Sequence, residues 1–108
     1  VCAQAVVGTG SVMGDGVILN TSCSVDHHNR MGDFAHVAPG VHLGGNVSVG
    51  EGALLGIGSA VIPGRSVGEW AIVGAGSVVT RDIPGHVTAA GAPAAAIRKH
   101  GRRSEDDR

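Results

Sequence analysis

The chain has 108 residues and a formal net charge of −1 at pH 7, with 19 glycines, one Trp, one Phe and no Tyr. So few rings exclude a core built around aromatics, and the near-neutral charge supplies no electrostatic reason for nucleic acid or an anionic membrane as partner. The sequence shows no apolar run approaching the ~18 residues of a membrane span, no signal peptide, and in Cys2 and Cys23 no disulfide framework, so a cytoplasmic protein is expected.

From Val1 the chain repeats in sixes: Val1, Val7, Met13, Leu19, Val25, Met31, Val37, Leu43, Val49, Leu55, Val61, Val67, Val73 and Val79 are all aliphatic. Chance would place about three or four aliphatics in such a series. The residue after each is often glycine, as at Gly8, Gly14, Gly32, Gly44, Gly50, Gly56, Gly68 and Gly74, and two places before it stands a small one: Ala5, Ser11, Cys23, Ala35, Ala53, Ser59, Ala71, Ser77.

A period of six fits neither an α-helix nor a half-buried strand. It fits a coil with flat faces of one hexapeptide each. The aliphatic fills the interior, the small residue packs beside it, and glycine permits the turn between faces. Three faces make one triangular coil of about 18 residues, so residues that far apart stack about 4.8 Å from one another. Residues 1–82 are thus predicted as an all-β parallel β-helix of four to five coils. The chain starts inside the pattern and reads as part of a longer protein.

Gly85 breaks the series. Residues 83–93, with Pro84, Gly85, Gly91 and Pro93, read as a loop. Residues 94–99 form a short helix candidate with Pro93 in its first turn, and residues 100–108 a charged tail expected to be disordered.

An interior filled with aliphatics leaves chemistry to the outside. His27, His28, His36 and His42 fall within sixteen residues, and none takes an interior position in the six-residue phase. Gly45 lies one coil beyond His27, where a bare backbone permits close approach and an N–H can face a developing oxyanion.

The period, with its glycines, resembles the hexapeptide-repeat acyltransferase superfamily, whose coils wind left-handed. The run from Asp26-His27-His28-Asn29-Arg30 through His36 to Gly44-Gly45-Asn46 resembles its sialic acid O-acetyltransferase and nucleotide-amino-sugar N-acetyltransferase branch, over about Asn20 to Lys99. The resemblance implies transfer of acetyl from acetyl-coenzyme A, without a metal, to an amine or hydroxyl of a sugar, a nucleotide-linked amino sugar first.

His27 matches the general base, which takes the acceptor's proton as it attacks the thioester. Such a base contributes roughly 10²–10⁴ in rate. Gly45 matches the backbone donor. His28 stands where the branch has an acidic residue to orient the base. Its replacement by imidazole leaves Asp26 or Asp33, of this chain or of a neighbouring copy, as alternative orienting groups. His36 matches a residue contacting the acetyl group or coenzyme, and Asn20 one near the substrate.

Pro39, Ile57 and Ala75 form one column, which in the family lines the pantetheine groove. Gly91, Pro93, Arg98 and Lys99 match the C-terminal extension, with the basic pair facing the coenzyme's phosphates. The family also implies a homotrimer with sites between chains, and the branch a nucleotide-binding-like domain preceding the coil.

Three other readings stand beside this one. A non-catalytic trimeric scaffold or coenzyme A-binding fragment needs only the coil. A zinc carbonic anhydrase of γ type needs three converging His ligands, whereas His36 and His42 fall on successive, diverging faces. Serine acetylation is suggested by the stretch from Thr88 to Pro93 alone.

Overall fold

The computed structural model describes residues 6–99. The first repeat positions, Val1 and Ala5, and the charged tail at 100–108 lie outside the described residues.

Each hexapeptide folds as a two-residue strand followed by a four-residue corner. The second strand residue is the aliphatic of the six-residue series, and because side chains alternate along a strand it points inward while its predecessor points out. Three parallel sheets result, which we call walls. The first stacks Val6–Val7, Ser24–Val25, His42–Leu43, Ala60–Val61 and Val78–Val79. The second stacks Val12–Met13, Arg30–Met31, Ser48–Val49 and Ser66–Val67. The third stacks Ile18–Leu19, His36–Val37, Leu54–Leu55, Ile72–Val73, Val87–Ala90 and Ala95–Lys99. Partners through most of the stack are eighteen residues apart, as in Val25↔Leu43 and Val37↔Leu55.

The series residues from Leu19 to Val79 are all buried. Each Val or Leu so withdrawn from water stabilises the coil by about 1.5–3 kcal/mol. Val7, in the first described coil, is 40% exposed, and among the described residues no coil lies before it.

The glycines after the series residue do not supply the turn geometry. Positive φ falls two residues later, on the third residue of every corner from Gly10 to Gly76. Glycines such as Gly32 instead let backbones approach: a Cβ there would stand 2.6 Å from the Glu51 amide of the next coil. Five third positions from Gly10 to Gly76 carry residues other than glycine with φ between 57° and 61°, namely Ser22, His28, Phe34, Asn46 and Trp70.

Beyond Val79 the structure corrects two expectations. The segment from Ile83 is not a plain loop, because the coil continues with one corner shortened by two residues. Val67 pairs with Ile83 and Val73 with Ala89, sixteen apart instead of eighteen, so Ile83 takes the interior place that Gly85 misses. The short helix expected over 94–99 is a strand, Ala95–Lys99, running antiparallel to Val87–Ala90. An open sheet edge offers unpaired N–H and C=O groups, and pairing with it outweighs the alanines' preference for helix. Among the described residues no helix is long and apolar enough to cross a membrane.

Candidate active site

His27 and His28 are the second and third residues of a corner between the first and second walls. The left-handed φ of 57° at His28 is a conformation that imidazole side chains adopt only at a cost of about 1 kcal/mol or more. It is possible here because Gly10, one coil earlier, leaves room. A Cβ on Gly10 would lie 2.6 Å from the His28 ring. The His28 ring meets His27 edge-on, with centroids 5.3 Å apart at 78° and the two Nδ1 atoms at 3.1 Å. At that distance one Nδ1–H can donate to the other Nδ1, the direction depending on the tautomer. If that proton sits on His27, the lone pair of His27 Nε2 is free to accept another.

On its other side the His27 ring covers Gly45. A Cβ there would stand 2.5 Å from Cε1 and 2.6 Å from Nε2, so only glycine leaves the ring where it is. Among the described residues the Gly45 amide donates to nothing, although Gly45 is buried. An unused N–H beside an imidazole can receive an oxyanion.

Within one chain the carboxylates expected as alternative orienters do not reach the His27 ring. Asp26 Oδ1 accepts the main-chain N–H of His27 at 2.9 Å, and Asp33 Oδ1 accepts that of Asp15 at 2.8 Å. Within one chain the group that meets the His27 ring is His28.

The remaining predicted residues stand elsewhere on the prism. His36 is half-buried on the third wall between Ile18 and Leu54 in the stack, and its imidazole makes no hydrogen bond among the described residues. His42 is on the first wall, where Ser24 Oγ meets its Nδ1 at 2.7 Å, so His36 and His42 diverge. Asn20, Ile57 and Ala75 lie at the corner between the third and first walls. Asn20 Oδ1 accepts the adjacent Thr21 amide at 2.7 Å. Ile57 is 62% exposed, and the amides of Ile57 and Ala75 make no hydrogen bond among the described residues. That corner presents exposed main-chain donors, which a chain of amides such as pantetheine can use.

Gly91 follows the third wall's Val87–Ala90 strand. Pro93 helps to line a cavity of about 300 Å³ with Arg81, Asp82 and Ala94, and Arg98 and Lys99 are exposed on the terminal strand.

One chain thus joins His27, His28 and Gly45 at one corner, and sets Ile57 and Ala75 across the first wall from them, with His36 on the third wall. Sequence reasoning passed over Asn29. It is fully buried, in the column of small residues two places before the aliphatic. A polar residue in that column was the signal.

No family model matches the chain. It is 36% identical over 105 residues to serine acetyltransferase 2 of Arabidopsis thaliana, an alignment covering 84% of this chain and 27% of that protein. The chain spans about a quarter to a third of the length of the first curated relatives it matches.

Among solved structures it is similar to the acetyltransferase domain of PglB from Neisseria gonorrhoeae FA1090 in complex with acetyl coenzyme A. The identity is 45% and the TM-score 0.85, over 88% of this chain and 46% of that one. It is likewise similar to a mutant of GDP-perosamine N-acetyl transferase from Caulobacter crescentus in complex with CoA and GDP-perosamine. Here the identity is 47% and the TM-score 0.86, over 87% and 45% of the two chains.

Proposed function

This chain belongs to the hexapeptide-repeat acyltransferase superfamily, and on that premise we propose that it is the catalytic coil of an acetyltransferase moving acetyl from acetyl-coenzyme A to the amine of a nucleotide-linked amino sugar. The observation that carries the proposal is the His27 ring seated on Gly45 beside an unused amide, with its Nδ1 held by His28.

In the proposed reaction His27 Nδ1–H donates a hydrogen bond to His28 Nδ1 and keeps its proton, which leaves the lone pair on Nε2 of His27 as the base. The acceptor nitrogen attacks the thioester carbonyl as Nε2 takes its proton. The carbonyl oxygen becomes an oxyanion and receives the Gly45 N–H, an interaction worth about 3 kcal/mol in comparable sites. Collapse breaks the C–S bond and the coenzyme leaves as thiolate, to which His27 returns the proton.

The coenzyme's pantetheine arm lies along the corner of Pro39, Ile57 and Ala75, with His36 near the acetyl group, Asn20 near the acceptor, and Arg98 and Lys99 toward the phosphates. Gly91 and Pro93 shape the end of that groove. Because this set and the His27 set occupy different corners of one chain, a complete site takes one corner from each of two copies. A closed three-fold ring of copies supplies three such sites. The sugar acceptor is favoured over serine by the higher identity to the GDP-perosamine N-acetyl transferase structure, 47%, against 36–39% for the plant serine acetyltransferases.

The test is thiol release from acetyl-coenzyme A by the purified chain with GDP-linked and UDP-linked amino sugars and with serine, beside His27→Ala. Sedimentation is run on the same sample. The expected result is transfer to a nucleotide sugar by a trimer, reduced at least 10²-fold in His27→Ala. A well-folded trimer that neither binds acetyl-coenzyme A nor releases thiol would overturn the proposal.

A further inference from the structure

We infer that Asn29 is a positioning residue for His27, holding the main chain on both sides of the His27–Gly45 pair. This rests on the reading of His27 as the base.

The corners of the prism are not closed alike. At the two other kinds of corner, from Asn20 to Ser77, the amide of the fourth residue donates back to the carbonyl of the first. There are seven such bonds, from Cys23→Asn20 to Ser77→Gly74, at 3.1–3.4 Å. The corners between the first and second walls, beginning at Gly8, Asp26, Gly44 and Ile62, have no such bond among the described residues. The corner that carries His27 and His28 is therefore the kind whose main chain does not close itself.

Side chains close it instead. Asn29 Nδ2 donates to the Asp26 carbonyl at 3.0 Å, and Ser11 Oγ from the preceding coil donates to the same oxygen at 3.0 Å. That carbonyl belongs to the peptide joining Asp26 to His27, so fixing it fixes the plane from which the base departs. Asn29 Oδ1 accepts the Val47 amide at 2.6 Å, two residues beyond Gly45. One buried amide thus ties the base-bearing corner to the corner under it.

The column shows what its absence does. Ser11 Oγ accepts the amide of Asn29 at 3.2 Å, and Asn29 accepts that of Val47, but Val47 has nothing to offer, and the Arg65 amide beyond it makes no hydrogen bond among the described residues. A buried polar side chain is costly unless bonded. Asn29, at 0% exposure, is bonded on both its atoms, in a place where Val47 shows that an aliphatic packs.

Asn29→Val keeps the packing and removes both bonds, whereas Asn29→Ser keeps an acceptor for Val47 of the kind Ser11 supplies. The imidazole signals of His27 in nitrogen-edited NMR spectra report its tautomer directly. In the wild type one tautomer is expected, with the proton on Nδ1. In Asn29→Val a mixture is expected, and with an acceptor in hand a kcat lower by about 10–100-fold at unchanged KM for acetyl-coenzyme A. In Asn29→Ser the single tautomer returns. Ser11→Ala removes the other donor to the same carbonyl and shifts the tautomers in the same direction, which keeps the test open if the valine variant does not fold.

Wild-type tautomers in whichever of Asn29→Val and Ser11→Ala folds would reduce Asn29 to a core-filling residue and overturn the inference. The tautomer readout does not need turnover, so it separates a failure of this inference from a failure of the acetyltransferase reading.

Discussion

His27 and Gly45 share one space: the imidazole of the first lies where a side chain of the second would stand, its Cε1 2.5 Å from that absent Cβ. The two are eighteen residues and one coil apart. Any side chain at 45 moves the ring while leaving the interior intact, since the collision is with an exposed, rotatable group.

Gly45→Ala is therefore expected to fold with stability within about 1 kcal/mol of wild type, because surface collisions relax cheaply. Its transfer rate should fall by roughly 10²-fold, the usual consequence of an ångström-scale misplacement. Thermal melting and thiol release measure the two, and an unchanged rate would remove Gly45 from the site.

His28 is expected to matter as an acceptor for the base and not as a charge. His28→Gly adopts the left-handed φ freely, so fold stability should stay within about 1 kcal/mol, while kcat drops by about 10–10²-fold. His28→Asp restores an acceptor and should stay within about 10-fold of wild type. Equal losses in both variants would show that the 3.1 Å contact between the two rings does not orient the base.

Ile57→Pro tests the coenzyme corner through the main chain. Pro39 occupies the same corner position one coil earlier, so proline fits the local φ and stability should hold. The lost N–H should weaken acetyl-coenzyme A binding by about 2–10-fold, the worth of one net hydrogen bond. Calorimetry measures it, and undiminished affinity would place the pantetheine arm elsewhere.

Leu55→Ala removes the largest kind of side chain from the middle of the stack, where it is fully buried. A loss of about 2–5 kcal/mol is expected in urea unfolding, with no change in KM if the coil still forms.

The walls and the His27–Gly45 stacking were legible in the sequence because a strict period converts directly into a column. Gly45 could be set against His27 by counting. What escaped counting was whatever departs from the period or depends on an edge. Two missing residues near Thr80 moved Ile83 into the core and made Gly85 look like an ending. The strand Ala95–Lys99 forms because Val87–Ala90 offers it an edge, which no local preference of its alanines reports. Asn29 hid in a column of small residues, where its chemistry depends on a corner closed differently from its neighbours. The left-handed backbone at His28 gave no sign in a residue type that seldom adopts it.

The last coil has a consequence for how copies of this molecule can grow. A parallel coil is its own template, and a bare terminal rung invites another chain to continue it into a fibre. Here the crossing from Gly91 to Ala94 takes both main-chain groups of Val78, at 3.0 and 2.7 Å, and the reversed strand Ala95–Lys99 seals the third wall with a polarity the stack cannot repeat. Among the described residues the first and third walls therefore end in chain that does not repeat the coil, which disfavours parallel addition of another coil at those rungs.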